Sequence, residues 1–153
     1  MTALEARLQE DQKEAMKTGD KMLLGLIRLL RSQLQYARMQ AGEGWSEEKA
    51  QEVLSAAAKT RRESISLFEK GGRMDLVEKE KAELALLERY LPAQLSDQEL
   101  ATLIELCISE VGARDLKDIG KVMAALMQRV KGRADGKVLN ERVRARLSGA
   151  QAI

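Results

Sequence analysis

Histidine is missing from all 153 residues, and its absence removes whole classes of chemistry. Ser-His-Asp and Cys-His catalysis are excluded, and so are zinc sites that need an imidazole ligand. With a single cysteine as well, thiolate-rich transition-metal sites lose their ligands too. No glycine-rich phosphate loop of the Walker or dinucleotide type is present. The sequence therefore calls for no metal and no cofactor. Lys, Asp, Glu, Ser and Tyr could still do chemistry, but no arrangement of them points to a catalytic site.

The lone cysteine, Cys107, rules out an internal disulfide and suits a reducing cytoplasm. It stands in the apolar run Leu103-Ile104-Glu105-Leu106-Cys107-Ile108, where a packing role is expected of a free thiol. No apolar stretch approaches the roughly 20 residues that span a bilayer. Met1-Thr2-Ala3-Leu4-Glu5 lacks the basic start and apolar core of a signal peptide. These features predict a soluble, cytoplasmic protein with no membrane partner.

Proline occurs once and aromatics make up 3%, while Ala, Leu, Glu, Lys and Arg dominate. Those abundant residues lose little side-chain freedom in a helix, so the expected fold is all-α. Thr2 and Glu5 form a capping-box pattern that opens a first helix running to Thr18, with Leu4, Leu8 and Met16 on one face. Gly19 stops it and Asp20 caps the next, Lys21 to Ala41, which carries Leu23, Ile27, Leu30 and Leu34 at helical spacing. After the Gly42-Glu43-Gly44-Trp45 loop, Ser46 caps a third helix to Lys70, expected to bury Val53, Leu54, Ala57, Ile65 and Phe68. Gly71-Gly72 breaks it, and a fourth helix from Asp75 puts Leu76, Leu84, Leu87 and Leu91 on one stripe, which reads as an antiparallel hairpin.

Pro92 cannot continue a helix, and residues 92–96 read as a linker. The expected organisation is an N-terminal helical-hairpin domain over 1–91 and a small three-helix domain over 97–153. Ser96 and Glu99 repeat the capping-box pattern and open a helix to Val111, which Gly112 ends. A helix over Leu116–Val130 should bury Ile119, Val122, Met123, Leu126 and Val130, and a last helix carries Leu139, Val143 and Leu147. Between them lies a basic turn, Lys131-Gly132-Arg133-Ala134-Asp135-Gly136-Lys137.

Charge is distributed unevenly over this plan. Residues 1–95 hold 16 basic and 16 acidic residues, residues 96–111 hold four acids and no base, and residues 112–149 hold ten bases and four acids. The last segment therefore nets +6, and local potential matters more to a polyanion than overall charge. Lys117, Lys121, Gln128 and Lys131 fall on one side of the Leu116–Val130 helix, followed by Arg133, Lys137, Arg142, Arg144 and Arg146. Several long cations on one surface are what phosphates require, and amides near Gly132 and Gly136 could add contacts. On charge alone, a solvated face with Asp135 capping the last helix is the simpler reading.

In the first domain, Arg61 lies four residues before Ile65, on or beside the buried stripe. A guanidinium there needs carboxylates, so Arg61 and Arg62 are expected in an ion-pair network with Glu80 and Glu83, with Glu88 also in reach. A second phosphate patch at Lys59 and Arg62 is the alternative. Trp45 is expected to pack against the hairpin.

The segments Arg61-Arg62-Glu63-Ser64-Ile65 with Phe68, Gly72-Arg73 with Asp75-Leu76, Tyr90-Leu91-Pro92 with Gln94-Leu95-Ser96, and Gly120-Lys121-Val122-Met123 continuing to Lys131–Lys137 resemble the YqeY-like proteins. These are small bacterial proteins related to the tail region of the B subunit of the glutamyl/aspartyl-tRNA amidotransferase. The resemblance spans nearly the whole chain, with Thr60 before Arg61 and Gly71 as small departures. It implies an all-helical fold with a larger first domain, and a tail-like region whose nearest analogue contacts tRNA. Kinship of fold does not carry activity, and neither an amidase Ser–Lys pair nor an ATP cradle is visible. The leading expectation is a non-catalytic accessory protein that binds tRNA or another structured RNA through Lys117, Lys121, Lys131, Arg133, Lys137, Arg142 and Arg144. A helical adaptor for a protein partner, working through the 46–91 hairpin, is the alternative, and a component of a glutamine-dependent tRNA amidotransferase is the third.

Overall fold

A computed structural model describes residues 1–149; residues 150–153, the end of the expected second domain, lie outside the described residues. Seven α-helices and no strand occur among the described residues, so the fold is all-α. They divide into two compact units, Met1–Pro92 and the chain from Ala93 onward.

In the first unit, Thr2 and Glu5 form the full capping box at the start of α1 (Ala3–Thr18). Gly19 ends α1 in the left-handed region at φ 73°, and its N–H donates to the Ala15 carbonyl. Asp20 immediately caps α2 (Lys21–Ala41) by accepting from the Leu23 N–H. A short 3-10 turn at Gly42–Gly44 leads to Ser46, which caps α3 (Glu47–Lys70), and Gly71-Gly72 separates α3 from α4 (Met74–Glu88). The α3–α4 pair packs closely as a hairpin, and α1 packs on α2.

Leu8, Ile27, Leu30, Leu34, Leu54 and Leu87 are fully buried at the centre of this unit, with Ala50 and Ala58 letting backbones approach. Truncating a side chain such as Leu30 to alanine should cost about 2–5 kcal/mol. Several expected core positions differ. Met16 is 59% exposed and Ala15 takes the buried place beside it, because a bulky side chain one step round the helix points away from α2. Leu54 and Ala57 are buried as expected, but Val53, Ile65 and Phe68 are half-buried, since the buried stripe of α3 runs through Ala50, Leu54, Ala57, Ala58 and Arg61. On α4, Val77 and Leu87 are the buried positions, and Leu91 is buried beyond the helix end.

The second unit contains α5 (Asp97–Val111), α6 (Ile119–Val130) and α7 (Gly136–Gly149). Ser96 accepts from the Glu99 N–H at 3.1 Å, but the Glu99 carboxylate takes the Ser96 hydroxyl rather than its backbone N–H. The expected reciprocal box is therefore half made. Gly112 closes α5 in the left-handed region. The helix expected from Leu116 begins as a 3-10 turn over Leu116–Asp118, because the Asp115 side chain accepts from the Lys117 N–H and tightens the entry. Ile104, Cys107, Val122, Leu126, Val143 and Leu147 form the core, flanked by Leu100, Val130 and Leu139. Residues 93–96 belong to this unit in space: Leu95 donates its N–H to the Arg133 carbonyl at 2.9 Å, and Arg133 Nε donates to the Ala93 carbonyl at 2.8 Å.

Candidate anion-binding surface

The basic turn begins where α6 ends. Lys131 sits at φ 42° and ψ 53°, the one non-glycine residue with positive φ among those described, and its N–H donates to the Met127 carbonyl. Gly132 follows at φ 80°, and the Arg133 N–H closes the turn on the Val130 carbonyl at 2.8 Å. A left-handed residue at a helix C-terminus is normally glycine, which has no Cβ to clash. Asp135 then caps α7: its carboxylate accepts from the Lys137 N–H at 3.1 Å and its carbonyl accepts from the Leu139 N–H. The start of α7, expected to offer amides to an anion, is thus occupied by a carboxylate of this chain.

The basic residues fall into two groups. The arginines from Arg129 onward are engaged. Arg142 meets Asp97 at 2.5 Å, Arg129 meets Glu110 at 2.5 Å, and Arg146 pairs with Glu105. Arg133 is held by the Ala93 carbonyl, and Arg144 donates to Asn140 at 2.8 Å. The acids of α5 supply three of these partners, so the +6 of the segment is partly neutralised by the acidic helix that precedes it. The Glu105 hydrogen bond raises the Arg146 pKa further.

The lysines of this segment form no ion pair among the described residues. Lys117, Lys121, Lys131 and Lys137 are exposed, and none has a carboxylate within 4.0 Å among the described residues. Arg114 is exposed without an acidic side-chain partner too, a cation that sequence reasoning left out. Its N–H donates to Asp118 at 2.9 Å; that bond, with the Lys121 charge adding to it, holds the Asp118 carboxyl below its usual range. Compact ammonium groups free of partners suit phosphate contacts, since no ion pair must break first.

In the first unit, Arg61 is only 7% exposed. Its Nη1 donates to the Ala57 carbonyl at 3.3 Å, while Nε lies 3.5 Å from Glu83 Oε2 without hydrogen-bond geometry. Arg62 reaches Glu88 at 3.7 Å, and Glu80 has no cation in ion-pair range among the described residues. Sequence reasoning missed Tyr90. Its hydroxyl donates to Asp11 at 2.5 Å and the Arg7 guanidinium stacks 4.7 Å over its ring. Burial, and then the Asp11 hydrogen bond, push the Tyr90 pKa well above the ordinary phenol value. Burial raises the Cys107 thiol as well. Trp45 is half-buried against the core and donates to Glu5 at 3.3 Å.

Among the described residues, no group of three or more Cys, Asp or Glu side chains could hold a metal ion, and no helix is long and apolar enough to cross a membrane. The family model described as "Yqey-like protein" matches residues 5–147. The chain is 32% identical over 133 residues to "Altered inheritance of mitochondria protein 41, mitochondrial" of Pyrenophora tritici-repentis, covering 84% of this chain and 71% of that one. It is 27% identical over 94 residues to an uncharacterized protein of Schizosaccharomyces pombe, covering 61% of this chain and 76% of that one.

Proposed function

The chain belongs to the YqeY-like family, and from that premise we propose that it is a non-catalytic accessory protein that binds structured RNA, tRNA foremost, through the second unit. The observation that carries this reading is the contrast between engaged arginines and the uncommitted Lys117, Lys121, Lys131 and Lys137. Four exposed ammonium groups, with the exposed Arg114 beside them in sequence, supply counterion-releasing contacts to a phosphate backbone. No aromatic residue occurs between 112 and 149, so recognition is by shape and backbone rather than by base stacking. A single buried thiol fits a reducing compartment, and the cytoplasm is the one we propose.

The test is binding of purified protein to tRNA across a salt series. Affinity should fall steeply with salt, and Lys121→Glu with Lys137→Glu should abolish binding while the helix content stays unchanged. Undetectable or salt-independent binding would sink the proposal. An adaptor role is supported by Leu67 and Met74, which are exposed on either side of the α3–α4 turn. A nuclease-resistant, stoichiometric protein partner lost on Leu67→Lys would favour that second reading.

A further inference from the structure

The α1–α2 face of the first unit holds a groove of about 500 Å³ that the RNA reading of the second unit does not use. Arg28, Arg31 and Arg38 line it from α2, with Gln35 between them, and Glu5 and Gln12 line it from α1. Residues 28, 31, 35 and 38 are spaced three, four and three apart, which puts them on one strip of a helix. From Arg28 to Arg38 that strip runs about 15 Å along the axis. Three guanidiniums against one carboxylate leave the side chains of the lining at +2.

That carboxylate is already committed. Glu5 Oε2 accepts from the Thr2 N–H at 2.7 Å, the Thr2 hydroxyl at 2.9 Å and Trp45 Nε1 at 3.3 Å. Only Oε1 faces a cation of the groove, Arg38, at 3.6 Å. Arg31 donates to Gln12, a neutral acceptor. Arg28 is exposed with no carboxylate within 4.0 Å among the described residues. Two of the three guanidiniums therefore have no anion.

We infer that this groove binds a linear run of linked phosphates. Successive phosphates match cations stepped along an axis, and guanidinium forks grip phosphate oxygens in pairs. A single carboxylate or sulfate would meet one arginine and leave the others unpaired. The backbone of an RNA strand and a free polyphosphate chain present this same chemistry. The inference stands apart from the second unit's lysines, because none of them lines the groove.

Trp45, the sole tryptophan, is a built-in reporter, since an anion that draws Arg38 from Glu5 disturbs its hydrogen-bond partner. The full chain is titrated with sodium tripolyphosphate and, separately, with single-stranded RNA, following Trp45 emission and the heat of binding, with sodium chloride at matched ionic strength as control. Saturable binding is expected. Arg28→Ala with Arg31→Ala should weaken it about tenfold or more, with circular dichroism unchanged. Lys121→Glu with Lys137→Glu should leave the Trp45 response to tripolyphosphate intact. Sensitivity of tripolyphosphate binding to the arginine pair assigns the groove to free polyphosphate, and sensitivity of RNA binding alone assigns it to a nucleic-acid strand. If neither ligand binds, or both bind the arginine variant as tightly as the parent, the inference is overturned. Loss of RNA binding only in the lysine variant, with tripolyphosphate bound as tightly by the arginine variant as by the parent, would overturn the groove and leave the RNA reading standing.

Discussion

Lys131→Gly should make the protein more stable and a poorer RNA binder at once. Lys131 occupies a left-handed position, φ 42° and ψ 53°, where a residue carrying Cβ costs about 1 kcal/mol more than glycine. Glycine's looser unfolded chain returns part of that gain, leaving about 0.5 kcal/mol of net stabilisation. In urea the midpoint should rise while the slope of the unfolding free energy stays constant. The same substitution removes an ammonium group with no acidic partner. If that group meets a phosphate, the log–log slope of tRNA affinity against salt should shrink by about 0.7–0.9. Lys131→Gln separates the two effects, since it keeps Cβ and removes the charge: its salt slope should fall equally and its stability should stay unchanged. A destabilised glycine variant would refute the backbone argument, and an unchanged salt slope would refute the phosphate contact. Both outcomes as expected would mean that strain is retained at this turn to place a cation.

Further predictions concern the first unit and the thiol. Glu83→Ala should destabilise by about 3 kcal/mol, because Arg61 would be left buried without its carboxylate, whereas replacing both partners, Arg61→Met with Glu83→Leu, should be close to neutral; chemical denaturation of both decides. Tyr90→Phe should cost about 1–2 kcal/mol by leaving Asp11 without its donor while the Arg7 stacking persists. The folded Tyr90 pKa is raised, so its contribution is fully present below the unfolded value of 10.0 and is lost as pH climbs above it. Stability of the parent should therefore fall more steeply than that of Tyr90→Phe in alkaline titrations. Cys107 is buried with a raised pKa, so a thiol reagent should react only on unfolding, and fast labelling of the native protein would contradict the packing.

Helix boundaries were legible because local chemistry writes them. Thr2, Asp20, Ser46 and Ser96 each cap the helix expected of them, and Gly19 and Gly112 each close one. Burial was less legible where two neighbouring apolar residues compete. Nothing local told Ala15 from Met16, and only the packing of α2 against α1 decides between them. The charge reading was incomplete for the same reason. Sequence showed an acidic α5 followed by basic segments, but the pairing of Asp97 with Arg142 and Glu105 with Arg146 spans more than 40 residues. The Tyr90–Asp11 bond spans 79 and leaves no periodic trace. What remained visible was the turn, because left-handed geometry and glycine occur together within a few residues.

The two hydrogen bonds that join Ala93 and Leu95 to Arg133 have a mechanical consequence. The chain enters the second unit through them, ahead of α5. A pull on the backbone at Pro92 is therefore felt first at Arg133 and its turn, before any helix bears load. Tension or a proteolytic clip within residues 93–96 would reach the lysine-bearing turn directly, which makes this short segment a handle on the surface that presents the cations.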